Sequence, residues 1–232
     1  MREIVMDTET TGFEPSQGDR IVEIGAVELI NHMPTGRVYH QYINPQRDMP
    51  EDAFKVHGLS EEFLRPFPVF REVGQAFLDF VGDATLVIHN AAFDIKFLNF
   101  ELGKMGLTHL SWDRVVDTLT MARRKYPGSP ASLDALCRRF GIDNSKREKH
   151  GALLDSEILA EVYLELIGGR QPDLVLAPTE GKADAASMKV DTTWRPLPRA
   201  VPLPSRLKAE EAAAHEAFVA KMGDAALWKN WN

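Results

Sequence analysis

The 232-residue chain has a single cysteine, Cys137. That excludes an internal disulfide framework and any zinc site built mainly of thiolates. No run approaches the roughly 20 apolar residues needed to cross a bilayer, although a 44% hydrophobic content leaves ample material for a core. Met1 to Met6 enters a strand-like pattern without an apolar leader, so a cytoplasmic protein with no membrane partner is expected. The chain also lacks the excess of basic residues that phosphate binding usually leaves on a surface. Its net charge is −7. Residues 1–169 hold 18 Lys+Arg against 26 Asp+Glu, and the remainder 9 against 8, so the acidic excess lies in the first part. Such a protein is not expected to hold long DNA alone. It could act on a short strand end if bound cations neutralise an acidic pocket and a partner grips the duplex.

Residues 2–6 alternate into a short strand ending at Asp7, Arg20 to Ile30 reads as a second, and Val38 to Ile43 as a third. The Asn-His-Met-Pro-Thr-Gly stretch between the last two predicts a hairpin. Residues 60–82 read as mainly helical, interrupted near Pro66 and Pro68. Thr85 to Ile88 is a compact apolar run, a buried strand leading to a helix from about Phe93 to Lys104. A short strand near Val115-Val116 runs into a helix capped by Asp117, and further helices are expected over Ser132–Phe140 and about Gly151–Ile167. Cys137 falls on an apolar helical face with Leu133, Leu136 and Phe140. Strands as a meander and then alternating with helices predict an α/β protein, a mixed sheet with helices packed on it. After Gly169 the composition shifts. Residues 170–205 contain six prolines and read as a linker. Residues 206–232 carry an amphipathic helix marked by Leu207, Ala214, Phe218 and Met222, then Leu227, Trp228 and Trp231. This tail either folds back on the body or docks on another protein.

Three short segments carry the chemistry. In Asp7-Thr8-Glu9-Thr10-Thr11-Gly12, residues i and i+2 of a strand share a face, so Asp7 and Glu9 converge. Two anions side by side are unfavourable unless a cation lies between them, and Gly12 is expected to let the chain turn sharply. In His89-Asn90-Ala91-Ala92-Phe93-Asp94, a buried strand feeds a helix whose opening turn holds Asp94. There Asp94 either serves the site or simply complements the helix N-terminus, and Asn90 could be a plain N-cap. In His150-Gly151-Ala152-Leu153-Leu154-Asp155, Gly and Ala mark a close backbone approach and Asp155 sits one turn into a helix. His150 then lies on the preceding loop, either as an exposed residue beside Lys146, Arg147 and Lys149 or reaching into the site. Four carboxylates and a histidine match what phosphodiester hydrolysis by water requires. Oxygen ligands suit Mg²⁺ or Mn²⁺, a pair of such divalent cations can stabilise the attacking and leaving oxygens, and a histidine can take the proton of the water. Asp7, Glu9 and Asp155 are assigned to the first cation, Asp7 with Asp94 to the second, and His150 to the base.

DTETTG, HNAAFD and HGALLD resemble, in order, the three motifs of the DEDDh exonuclease family. The stretch from Ser132 to Arg170 is similar to the epsilon-subunit branch attached to bacterial DNA polymerase III. The resemblance covers about residues 3–169 and returns weakly in the tail. It implies a ribonuclease H-like exonuclease fold over residues 1–169, with a mixed five-stranded sheet flanked by helices and a flexible C-terminal tail. The implied activity is 3′→5′ proofreading on a single-stranded 3′ end of DNA. By the same resemblance Asp52 and His57 would meet the terminal nucleotide, Val56 would wedge against its base, and Thr8 and Thr10 would lie near its sugar. Phe93 is a candidate stacking surface, while Val56 and Phe93 could equally be ordinary core. Gln171, Leu174 and Leu176 resemble a peptide captured by the sliding clamp (beta). Phe218, Leu227 and Trp228 resemble the segment that docks on the catalytic (alpha) subunit, and a small theta-like accessory subunit is a further possible partner. Two rivals stand beside this reading: a 3′ exoribonuclease of the same family and a non-catalytic scaffold bridging polymerase and clamp.

Overall fold

The computed structural model describes residues 1–145, 147, 149–169 and 207–223. It comprises two units, Met1–Leu176 and Ala177–Asn232.

The first unit is built on a five-stranded sheet with the order β3-β2-β1-β4-β5. These strands are β1 (Arg2–Thr10), β2 (Ile21–Ile30), β3 (Met33–Tyr42), β4 (Thr85–Ile88) and β5 (Val115–Asp117). β1 pairs antiparallel with β2 and parallel with β4. β2 pairs antiparallel with β3, and β4 parallel with β5. The sheet is therefore mixed, as expected. Its helices are α1 (Glu51–His57), α2 (Glu61–Leu64), α3 (Phe70–Val81), α4 (Ala91–Lys104), α5 (Thr118–Lys125), α6 (Leu133–Phe140) and α7 (Ala152–Leu166).

Two apolar layers sandwich the sheet. Ile4 and Met6 of β1 face a layer with Phe70, Phe77 and Val81 of α3 and Phe97 and Leu98 of α4. Val5, on the opposite face, joins a layer with Leu136 and Cys137 of α6 and Leu159 and Val162 of α7. Each fully buried Leu, Ile, Val or Phe contributes about 1.5–3 kcal/mol, so the alternation of β1 is anchored on both faces. Cys137 is core, as its helical spacing predicts. Asp117 caps α5, its carboxylate accepting from the N–H groups of Leu119 and Thr120.

The hairpin differs from the sequence expectation. The turn is the two-residue Asn31-His32, with φ of 50° and 66°, and Met33 to Gly36 already belong to β3. Such a tight turn requires positive φ at both positions. Histidine is an uncommon residue there, which hid the turn behind the more obvious Pro-Thr-Gly. The segment 60–82 contains two helices, α2 and α3, and a seventh helix, α1, precedes it. In the second unit, α8 spans Ala209–Lys221, with Phe218 exposed.

Register places the site. β4 pairs with β1 only from Glu3 to Val5, whereas β1 continues to Thr10. Beyond β4 the far end of β1 faces a crevice at the carboxyl ends of two parallel strands, a recurrent location for ligand sites in α/β folds.

Candidate active site

Asp7 and Glu9 lie on the overhanging end of β1, not after it, with Asp7 opposite Gly25 and Glu9 opposite Glu23 of β2. Asp94 enters from the first turn of α4 and Asp155 from the first turn of α7. All four, with His150, line one cavity of about 620 Å³. Thr8 Oγ1 donates to Asp94 Oδ1 at 2.6 Å. Oxygen or nitrogen atoms of Glu9, His150 and Asp155 lie within 4.8 Å of one another, close enough to hold one metal ion.

Electrostatics divide the cluster. Burial, and then the neighbouring Asp94, Glu9 and Asp155, push the Asp7 carboxyl well above its ordinary range. Burial followed by Asp155 and Glu23 pushes Glu9 up. Burial raises Asp94 as well, against the bond from Thr8. Burial works the same way on Asp155, yet hydrogen bonds from Arg147 and His150 outweigh it and hold Asp155 below the usual carboxylate range. Crowded carboxylates that repel one another, all oxygen donors, fit hard divalent cations.

A second cavity of about 510 Å³ abuts the first and shares Thr8, Glu9, Phe13 and Phe93 with it. Asp52, Val56, His57 and Thr10 line this one. Val56 is 46% exposed and is not core. Phe93 is partly buried, packs tilted against Phe97 and meets the edge of Phe13. His57 is buried, and burial lowers its pKa to about 4. Its Nδ1 accepts from the Leu59 N–H at 3.0 Å, which puts the ring proton of the neutral form on Nε2. Thr10 Oγ1 donates to the Gly12 carbonyl, and the Thr8 hydroxyl is committed to Asp94. The segment before α7 is joined to α1, since His150 N–H donates to the Val56 carbonyl at 3.1 Å. Gln171, Leu174, Leu176, Leu227 and Trp228 lie outside the described residues.

The exonuclease family model matches residues 4–163. Among curated relatives, DNA polymerase III subunit epsilon of Rickettsia typhi is 46% identical over 96% of this chain and 97% of its own. The subunit epsilon of Salmonella typhimurium is 45% identical over 98% and 97%. The chain belongs to the epsilon-subunit branch of the exonuclease family. Among solved structures, Exonuclease X in complex with 5′ overhanging duplex DNA superposes with a TM-score of 0.56 at 27% identity, over 72% of this chain and 90% of that one. The nuclease domain of 3′hExo, a DEDDh family member bound to rAMP, gives 0.62 at 20% identity over 72% and 91%, a likeness of fold. This epsilon-type chain is thus a nuclease with the mixed five-stranded sheet of the exonucleases.

Several features of this exonuclease escaped the sequence reading. The chain bends at Gly12 as expected, but without a left-handed conformation. The missing side chain of Gly12 leaves space for the Asp19 carboxylate, which a Cβ would approach to 2.4 Å. Gly151 is extended and faces open space. The close approach expected of this segment is made by the Ala152 backbone, with Gly25 as the partner, where a Cβ would come within 2.1 Å of it. Beside Gly25, Glu23 accepts from Ala152 N–H at 3.1 Å and from His40 Nε2 at 2.7 Å. Glu23 thus takes over the capping of α7, which has no cap of its own from Gly151. Asn90 occupies the N-cap position of α4 in a left-handed conformation, with φ of 65°, and its side chain makes no cap bond. Asp117 accepts from the Asn90 N–H instead. An acid and a glycine two residues apart on one face of β2, in register with Asp7 and Glu9, were the available signal.

Proposed function

We propose that this exonuclease is the proofreading subunit of a bacterial replicative DNA polymerase, removing nucleotides as 5′-monophosphates from a single-stranded 3′ end. The observation that carries the reading is the convergence of Asp7, Glu9, Asp94, Asp155 and His150 on one cavity that abuts a second. The first suits the terminal phosphodiester and the second the terminal nucleotide. Val56 and Phe93 offer its base apolar and aromatic surface. The buried, neutral imidazole of His57 forms part of the cavity wall, while Asp52, Thr8 and Thr10 line the sugar side.

Asp7, Glu9, Asp94 and Asp155 would hold two divalent cations, Mg²⁺ or Mn²⁺. When bound, these supply Lewis-acid stabilisation of charge on the phosphate oxygens. Thr8 fixes the Asp94 carboxylate and Glu23 fixes the start of α7, so both helix-borne ligands are held before substrate arrives. His150 takes the proton of the attacking water on its acceptor ring nitrogen. Frayed ends enter such a site more readily than paired ends, because unpairing a mismatch costs less. The acidic surface is consistent with a subunit that handles only the tip while its polymerase holds the duplex.

The relatives named for DNA polymerase III match beyond residue 169, which supports attachment through the C-terminal part. In this reading residues 1–169 are the exonuclease and 170–205 the linker, with Gln171, Leu174 and Leu176 meeting the sliding clamp. Phe218, Leu227 and Trp228 in 206–232 meet the alpha subunit. A theta-like subunit and a cytoplasmic location complete the proposal. Degradation of a 3′-mispaired primer by wild type and Asp7→Ala tests the site. We expect a rate loss of about 10³-fold or more with thermal unfolding still cooperative. A loss under tenfold refutes the assignment, and matched DNA and RNA strands in the same assay separate it from an exoribonuclease.

A further inference from the structure

Arg147 occupies the centre of the acidic cluster. Its side chain is only 8% exposed. The guanidinium forks onto Asp155, Nε to Oδ1 at 2.5 Å and Nη2 to Oδ2 at 2.7 Å, so both oxygens of that carboxylate are engaged. Nη1 reaches Asp134 Oδ1 of α6 at 2.8 Å. Nη2 also lies 2.9 Å from His150 Nδ1. The same Nδ1 lies 3.4 Å from Asp155 Oδ2, so the imidazole sits against both the guanidinium and the carboxylate. Arg147 therefore contacts His150 and the carboxylate of Asp155 together.

A divalent cation on Asp155 would face this guanidinium across a few ångströms, and like charges at such separation repel strongly away from bulk water. Both cannot hold Asp155 on equal terms. Asp134 offers an alternative anchor. Its side chain is 45% exposed, and it already shares Arg147 with Asp155.

We propose that Arg147 is a resident counter-cation that a divalent cation displaces from Asp155 toward Asp134, moving it away from His150 in the same exchange. Arg147 is then a positioning residue whose place depends on metal loading. It also lets the carboxylates be buried together before metal arrives. The inference rests on the proposed assignment of Asp155 as a metal ligand.

Titration of the full-length protein with Mn²⁺ alone, without DNA, tests it by calorimetry and thermal unfolding. Arg147→Met keeps the apolar stem and removes the charge. It should bind Mn²⁺ at least tenfold more tightly than wild type, melt lower without metal and gain more from added Mn²⁺. Arg147→Lys, which cannot fork, should fall between. Asp134→Asn removes the alternative anchor while leaving Arg147 and Asp155 intact. It should weaken Mn²⁺ binding several-fold, and by less in the Arg147→Met background, where no guanidinium needs a new partner. Equal or weaker Mn²⁺ binding by both Arg147 variants overturns the exchange, as does an Asp134→Asn effect that is undiminished without Arg147. If wild type and all variants fail to bind Mn²⁺, the metal-site reading falls together with it.

Discussion

Asp94 and Asp155 occupy matched corners of the molecule. Each ends a His-x-Ala-x-x-Asp segment, each is the fourth residue of its helix, and each is buried. Their electrostatics are opposite. Asp94 receives a neutral hydroxyl, that of Thr8, and burial leaves its carboxyl raised. Asp155 receives a guanidinium fork and is held low. The histidines diverge too. His89 is tucked against Thr118 Oγ1 at 2.9 Å, with burial lowering its pKa, whereas His150 is half exposed at the cavity. A repeated local pattern thus yields one carboxylate raised by burial and one compensated by a neighbouring charge. The difference comes from what the neighbouring loop contributes: an Asn90 turn fastened to Asp117 in one corner, and Arg147 in the other.

The largest expected effects break the pair functionally while separating it thermodynamically. Asp94→Asn and Asp155→Asn should each lower the primer-degradation rate by about 10²-fold or more, since both would withdraw a charged ligand from the reacting phosphate. Their stabilities without added metal should move in opposite directions. Asp155→Asn leaves the mostly buried Arg147 with Asp134 as its only carboxylate partner among the described residues and should cost about 3 kcal/mol. Asp94→Asn removes a desolvated carboxylate while keeping an oxygen for Thr8, and should be neutral or stabilising. Urea unfolding of both variants with a chelator present checks the sign. Equal destabilisation would mean that Arg147 does not distinguish the corners.

A substitution outside the acidic cluster probes how the Asp155 corner is built. Gly25→Ala would drive a methyl against the Ala152 backbone at the start of α7. Backbone cannot yield as a flexible side chain would, so a stability loss of about 1–3 kcal/mol is expected. Activity should fall further than that stability loss explains, because Asp155 shifts with the helix. No matching effect is expected at Gly151, which faces open space; Gly151→Ala should leave unfolding within about 0.5 kcal/mol of wild type.

What could be read from the sequence follows this division. The convergence of the four carboxylates and His150 on one cavity was legible because three short motifs place them at a strand end, at helix starts and just before a helix. β4 was legible as a compact apolar run and α4 from the helical spacing of its phenylalanines, which the core enforces. Glu23 was not. Within the wholly buried Ile21–Leu29 run an acid looks like an ordinary strand residue, and only tertiary contact reveals it beneath α7. Arg147 was visible as charge near His150, but a loop sequence has no period from which its fork onto Asp155 could be inferred. α1 was missed because seven residues between Pro50 and a left-handed Gly58 hold too few turns to give a periodic signal.

The smallest expected effect is in the pH dependence, where the two corners again differ in sign. The folded-state pKa of Asp94 is raised from 3.8 to about 7. Between those values the native state retains a proton that the unfolded chain has lost, so stability falls as pH rises through this window. Asp155 has the depressed pKa. Its contribution is present above the unfolded carboxylate value and is lost as pH falls through the lower folded one. His57, lowered from 6.5 to about 4, makes stability rise with pH between those values and would mask the Asp94 slope in wild type alone. The informative quantity is therefore the difference between Asp94→Asn and wild type, measured by urea unfolding in chelator at pH 5 and pH 7. One proton over two pH units bounds that difference at about 3 kcal/mol. The variant should gain on wild type as pH rises. A difference that does not change with pH would mean that Asp94 is ionised at both values, and the contrast with Asp155 would disappear.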